Sequence, residues 1–195
     1  MKGEIEVNKA IILNGGGAAA PYRELAACAE AWARGQGLET AAFDLTQLEI
    51  KPCRGCFNCW LKTPGLCCTR DAMDDVVPRM AEADFQIMIT PITYGGYGFH
   101  LKKTLDRSIP VLLPFFEWIE GELHHPLRYK YGKRRVAAIG VLPEPDTESE
   151  RIFHLLVRRN SINMHAEPVS IVLSGRTSDE RFEDRLDALF SGKEN

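Results

Sequence analysis

Apolar positions along the chain follow two rhythms. Short stretches at Lys9–Asn14, Leu38–Leu45, Asp84–Thr90, Arg135–Leu142 and Val169–Leu173 are near-continuously apolar or β-branched. Such runs predict strands buried on both faces of a parallel sheet. Between them the apolar residues recur every three or four positions. Leu25, Ala26, Ala29, Trp32 and Ala33 predict a helix opened by Pro21 and stopped by Gly35 and Gly37. Asp71–Ala83 predicts a second helix, with Asp74 and Asp75 favourable to its dipole and Pro78 imposing a kink or a late start. A third helix runs through Leu101 and Leu105, a fourth over Ser149–Met164, and an amphipathic fifth over Asp179–Phe190, with fraying from Gly192.

Strands alternating with helices in this way demand a parallel sheet covered on both faces, the α/β class. Five strands fit a flavodoxin-like order of 2-1-3-4-5, with ligands at the carboxyl ends of strands one and three. The loops after strands one, two and three therefore open at one edge. At 195 residues the chain is expected to form one domain, residues 1–195, carrying a cysteine-rich loop at 52–70 and an aromatic-rich excursion at 109–132.

Composition narrows the function classes. With 45% apolar residues the chain can build a core without disulfide staples. A net charge of -3 argues against a nucleic-acid partner held by bulk electrostatics. No apolar run follows Met1-Lys2-Gly3-Glu4, and none approaches the roughly 20 residues of a membrane span. A cytoplasmic protein without a membrane partner is expected, and there clustered cysteines serve metal or redox chemistry more often than disulfides.

Five of the six cysteines lie within sixteen positions. Cys53, Cys56 and Cys59 have C-x2-C-x2-C spacing, and Cys67 or Cys68 closes the set. Four thiolates so placed suit an iron–sulfur cluster. Zinc fits less well, because its four-cysteine sites usually come as two separate knuckles. Redox-active or uncommitted thiols remain the alternative. Cys28 falls at a core position of the first helix and reads as a small hydrophobe.

The loop Asn14-Gly15-Gly16-Gly17-Ala18-Ala19-Ala20-Pro21 ends the first strand with a helix N-terminus behind it. Its small residues are expected to turn backbone N–H groups outward, a geometry that accepts phosphate. Glycine turns of this kind also occur for steric reasons alone. Arg23 can add a charge-assisted contact or stand solvated. Pro91-Ile92-Thr93-Tyr94-Gly95-Gly96 suits a flat aromatic ligand, with Tyr94 or Tyr97 against a ring face, unless Tyr94 packs the sheet edge.

Together these residues carry a resemblance. Cys53-x-Gly55-Cys56-x-x-Cys59 with Cys67 or Cys68, then Asp74-Asp75, Ala83-Asp84, Thr90-Pro91-Ile92-Thr93-Tyr94 and Leu101-Lys102-Lys103-x-x-Asp106-Arg107, resemble the flavodoxin-like NADPH-dependent FMN reductase family in its iron–sulfur flavoprotein branch. The resemblance spans roughly residues 9–107. It implies an FMN-binding homo-oligomer, a dimer or tetramer, with the flavin near a subunit interface. The phosphate would sit at Gly15, Gly16, Gly17, Ala18, Ala20, Tyr22 and Arg23. The ring would lie against Pro91, Ile92, Thr93, Tyr94, Gly95 and Gly96. Electrons would come from NAD(P)H or a carrier and leave through the flavin and a 4Fe–4S cluster on Cys53, Cys56, Cys59 and Cys67 to a small-molecule or protein partner. No acid–base residue is implied, since hydride chemistry belongs to the cofactor.

The chain departs from the family where a phosphate loop of Asn-Gly-Ser-Pro-Arg type has Gly16 and then Gly17 or Ala18, with Pro21 and Tyr22 where a hydroxyl would stand. Pro143-Glu144-Pro145-Asp146 also places two acids in the loop after strand four. These changes define a second reading, a flavin-free relative acting as a thiol or metal-binding redox sensor. Phe115, Phe116, Trp118, Tyr129 and Tyr131 form either an oligomer interface and pocket wall or a core-capping excursion. His124-His125 read as surface residues, and Lys130, Lys133, Arg134 and Arg135 as a solvated loop or an attractor of an NADPH phosphate.

Overall fold

The computed structural model describes residues 8–129, 132–174 and 187–188. In chain order these form β1 (Lys9–Asn14), α1 (Ala20–Gly35), β2 (Glu39–Asp44), α2 (Asn58–Leu61), α3 (Met73–Glu82), β3 (Phe85–Thr93), β4 (Gly96–Tyr97) and α4 (Phe99–Asp106). A 3-10 turn follows at Ile109–Val111, then β5 (Glu117–Ile119), β6 (Glu122–His124), β7 (Arg134–Leu142), α5 (Thr147–Asn163) and β8 (Ala166–Ser174).

The central sheet runs β2-β1-β3-β7-β8, all parallel, so the five apolar runs take the expected 2-1-3-4-5 order. Period-two alternation sends successive residues of each strand to opposite faces. Ile11, Leu13, Met88, Ala138 and Leu142 pack with Met73, Val76 and Met80 of α3, Leu101 of α4 and Phe153 and Val157 of α5. Ala10, Ile12, Ile87, Ile89, Ile139 and Ile171 pack on Leu25, Ala29, Trp32 and Ala33 of α1. Asp187 accepts from Trp32 Nε1 at 2.7 Å on this second face. Of the expected helix at Asp179–Phe190, only residues 187–188 are described, and they are helical.

Three local expectations change. The segment after β3 is not an open glycine loop: β3 continues to Thr93 and turns back through Tyr94 (φ 50°) and Gly95 (φ 78°) into β4. Positive φ at both central residues is the two-residue turn whose twist suits a hairpin. The Thr90 hydroxyl pins it, accepting from Gly98 N at 2.9 Å. Helix α5 begins before Ser149 because Asp146 caps it, accepting from Glu148 N at 3.1 Å and Ser149 N at 3.2 Å. One of the two acids after strand four is thus the cap of this helix. Within the expected excursion, residues 117–124 form an antiparallel ribbon, β5 with β6, turned at Glu120-Gly121. The exposed Phe115, Phe116 and Trp118 do not cap the core.

Phe153 is fully buried and meets Tyr97 edge-on at 5.7 Å between ring centroids. Truncation to Ala removes a side chain joining α5 to the β3–β4 hairpin. Phe153→Ala is expected to destabilise the fold by about 3–5 kcal/mol in urea unfolding. The exposed neighbour Leu155→Ala is expected to stay within about 0.5 kcal/mol.

Candidate functional site

The carboxyl ends of β1, β2 and β3 share one edge of the parallel sheet, and the three expected loops meet there. The glycine loop is shaped by Asn14. Its buried side chain accepts from Gly16 N at 3.0 Å and Gly17 N at 3.2 Å and donates to Gly17 O at 3.1 Å. Gly15 N donates to Ile89 O at 2.7 Å. The three glycine N–H groups therefore point into the fold, contrary to the sequence expectation. The polar face this loop offers begins later, at the start of α1. Ala19 supplies no side-chain cap, Pro21 removes one donor and the first turn holds no acid. Helix N–H groups lacking an intrahelical acceptor, with the positive end of the dipole, remain available to an anion. Ala18 and Ala20 are exposed here.

Gly16 is required for space. A Cβ there would lie 2.1 Å from the ring of Tyr22, which covers the loop. Burial raises the Tyr22 phenol pKa. Arg23 is exposed and lines a hollow between the glycine loop and β2, together with Asn14, Gly17, Ala18, Phe43 and Asp44. Leu101 of α4 closes the other side of the loop, its Cβ 3.0 Å from where a Gly15 Cβ would stand.

At the β3 end, Ile92 is buried, Pro91 half-buried and Thr93 exposed. Tyr94 is 96% exposed at the tip of the turn, so it does not pack the sheet edge. Tyr97 faces the core, and burial pushes its phenol up to about 12. Only Tyr94 is placed to meet a ligand. Phe99 at the start of α4 is exposed as well, a residue that sequence reasoning passed over.

The third loop brings Cys53, Cys56, Cys59, Cys67 and Cys68 around one recess, closed by Arg107 and Ile109. All five are free thiols. Gly55 (φ 62°) and Phe57 (φ 52°) flank Cys56 in left-handed conformations, which curl the C-x2-C-x2-C segment back on itself. For a phenylalanine that backbone is strained, a condition that collects at functional sites. Cys56 and Cys68 sulfurs lie 3.7 Å apart. Backbone N–H groups point at sulfur from Gly55 to Cys53 at 3.5 Å and from Thr69 to Cys67 at 3.4 Å. Burial, then the nearby Cys67, Cys53 and Cys56, raise the Cys59 pKa. Cys68 is lowered to about 7 by hydrogen bonds from Asn58, Cys56 and Arg54. Among the described residues no three His, Cys, Asp or Glu side chains are arranged to hold a single metal ion. The all-thiol donor set suits a soft, sulfur-ligated group and not a hard cation.

Two features unseen in the sequence hold this loop. Arg107, 2% exposed, forms a two-pronged ion pair with Asp71 at 2.7 and 3.1 Å. It also donates to Lys51 O at 2.6 Å and Thr69 O at 3.0 Å, one on each side of the cysteines. Asp71 in turn accepts from Lys51 N at 2.9 Å and Met73 N at 3.0 Å. The second feature is Trp60 of α2. Its Nε1 donates to Leu112 O at 3.0 Å, and its ring stacks on Phe57 at 5.2 Å and meets His125 at 4.8 Å. His125 Nδ1 pairs with Phe115 O, and His124 is buried against Asn163 Oδ1 at 2.9 Å, not at the surface. Tyr131 and Lys130 lie outside the described residues.

An open parallel α/β sheet in the order 2-1-3-4-5, with glycine-bearing and thiol-lined loops gathered at its carboxyl edge, defines a flavodoxin-like fold. The chain matches the family model "NADPH-dependent FMN reductase" over residues 10–141 and belongs to that family. It is 38% identical over 80 residues to an iron–sulfur flavoprotein of Methanocaldococcus jannaschii, 41% of this chain and 40% of that protein. It is 32% identical over 77 residues to an iron–sulfur flavoprotein of Methanosarcina thermophila, 40% of this chain and 39% of that one. The matches thus span about two fifths of these relatives. An FMN-dependent NADH-azoreductase of Bacillus anthracis in complex with FMN shares the fold at TM-score 0.66 and 13% identity, over 97% of this chain and 100% of that one. An NAD(P)H:quinone oxidoreductase of Methanothermobacter marburgensis does so at 0.63 and 12%, over 96% and 98%. Among the described residues no helix is long and apolar enough to cross a membrane.

Two outcomes follow from the site's electrostatics. In reduced, metal-free protein, iodoacetamide labelling with peptide mapping is expected to modify Cys68 with a midpoint near pH 7, and Cys59 only at higher pH. Burial opposes ionisation of Asp71, but the bonds from Arg107, Lys51 N and Met73 N prevail and hold its carboxyl below the usual range. Its stabilisation is therefore present above about pH 4 and lost as pH falls through the lower folded value. Asp71→Asn is expected to cost about 3–5 kcal/mol at neutral pH and to flatten the acid limb of the stability profile.

Proposed function

We propose that the chain is an FMN-dependent oxidoreductase that passes electrons from NAD(P)H, or from a carrier, through flavin and an iron–sulfur cluster to a small-molecule or protein acceptor. The observation that carries this is the convergence of five thiols with an uncapped helix N-terminus at one sheet edge, in a member of the FMN reductase family. Iron–sulfur flavoproteins among its partial matches support the cluster.

Bound FMN supplies the conversion between hydride transfer and single-electron release. The residues for its phosphate are Gly15, Gly16, Gly17, Ala18, Ala20, Tyr22 and Arg23. Of these, Ala20 and Tyr22 contribute N–H groups of the first helical turn, while the glycines contribute shape and close approach. Pro91, Ile92, Thr93, Tyr94, Gly95 and Gly96 border the ring. The cluster ligands are Cys53, Cys56, Cys59 and Cys67. Cys67 is preferred to Cys68 because it is less exposed, takes a backbone N–H from Thr69 and lies beside the buried Arg107. A second copy of the chain is the partner proposed for exposed Phe115, Phe116 and Trp118, in a dimer or tetramer.

A specific observation favours a second reading, a thiol redox module without flavin. The glycine N–H groups are engaged within the loop, and Cys56 and Cys68 are close enough to pair with little movement.

One experiment separates the two. Protein purified without oxygen is assayed for flavin, iron and sulfide, and for NAD(P)H oxidation with a quinone acceptor. Near one FMN and one four-iron cluster per chain are expected, with Cys67→Ser abolishing iron uptake and Cys68→Ser retaining it. Absence of flavin, together with failure to bind added FMN, would sink the oxidoreductase reading in favour of the thiol module.

A further inference from the structure

Arg107 presents a satisfiability problem. A guanidinium offers five N–H donors and keeps its charge at any pH a protein survives. Its two terminal nitrogens are fully engaged, one by Asp71 Oδ2 and Lys51 O, the other by Asp71 Oδ1 and Thr69 O. Among the described residues the fifth donor, Nε–H, is buried and meets no acceptor at full hydrogen-bond geometry, while the Cys67 sulfur is the one further group close enough to interact with the guanidinium. A buried donor left unmade is expensive, and native structures rarely keep one without a use. Arg107 lines the cysteine recess, whereas Asp71 does not. Burial opposes its charge, and Asp71 and the Cys67 sulfur favour it. The positive end of the pair thus faces the thiols and the negative end faces the backbone of Lys51 and Met73.

We infer that Arg107 is a positioning residue whose Nε–H is donated to the Cys67 sulfur in the cluster-bearing chain, and whose fixed charge raises the reduction potential of the group held there. This rests on the reading that Cys53, Cys56, Cys59 and Cys67 ligate a cluster. Reduction adds negative charge, and a sulfur carrying part of it accepts a stronger hydrogen bond, so the contact favours the reduced form. Hydrogen bonds to sulfur and local charge are the levers by which proteins set such potentials. Arg54, which points at Cys68 at 3.7 Å, is exposed and its charge is screened by solvent. It provides the control.

The test compares wild type, Arg107→Gln, Arg107→Lys and Arg54→Gln, purified without oxygen. Iron and sulfide are quantified, and the potential is titrated by electron paramagnetic resonance. Arg107→Gln is expected to shift the reduction equilibrium at least tenfold toward the oxidised form, about 59 mV for one electron. Arg107→Lys keeps the charge without the planar fork and is expected to fall between Gln and wild type. Arg54→Gln is expected to change it less than threefold.

A purely structural role for Arg107 would lower iron content while leaving the potential of the remaining clusters unchanged, and that result overturns the inference. If Arg107→Gln does not fold, Arg107→Lys decides, and a wild-type potential in that variant likewise overturns it. Wild-type protein without iron or sulfide overturns this inference and the cluster reading together. An intact cluster indifferent to Arg107 overturns this inference alone.

Discussion

One ion pair organises the carboxyl edge of the sheet. The loop between β2 and α3 carries all five clustered cysteines and little regular structure beyond the single turn of α2. A segment of that kind is held by few apolar contacts. Arg107, at the end of α4, ties Lys51 and Thr69, on either side of the cysteines, to one guanidinium, and Asp71 binds that guanidinium while accepting from Lys51 N and Met73 N. The pair is fully buried, where removing one partner leaves an uncompensated charge. Loop closure, helix start and charge placement thus depend on one geometry.

Helix α4 connects this clamp to the glycine loop and the β3–β4 turn. It begins beside the β3–β4 turn, where Leu101 fills the space against Gly15, and it ends at Arg107 on the cysteine recess. Its eight residues span about 12 Å. A rigid element of that length fixes the distance between the two candidate cofactor positions whatever the surrounding loops do. The sheet sets where the loops emerge, and α4 sets how far apart their chemistry sits.

The sheet was legible in the sequence because buried parallel strands are written as continuous apolar runs, and all five took their expected places. The β5–β6 ribbon was not, since three-residue strands such as Glu117–Ile119 and Glu122–His124 carry no readable periodicity. The convergence of Cys53, Cys56, Cys59, Cys67 and Cys68 was legible from spacing. Their clamp was not: nothing near Arg107 or Asp71 in the chain signals that residues 36 positions apart meet in the interior. The outward N–H groups expected of Gly15–Gly17 failed for a specific reason. The Asn14 side chain takes those of Gly16 and Gly17, a local side-chain-to-backbone contact that composition does not reveal, and Ile89 O takes that of Gly15. Tyr94 and Tyr97, three positions apart, divided between solvent and core only once a two-residue turn replaced the expected loop.

Trp60 has an effect beyond its own contacts. By joining α2 to Leu112 and His125, it ties the cysteine loop to the segments that flank the aromatic ribbon. Neither can unfold locally without exposing the indole they share. Amide exchange would then register the two segments opening at a common free energy. A molecule docked on the exposed ribbon would slow escape of whatever the thiols hold, through reduced fluctuation and without touching a single sulfur.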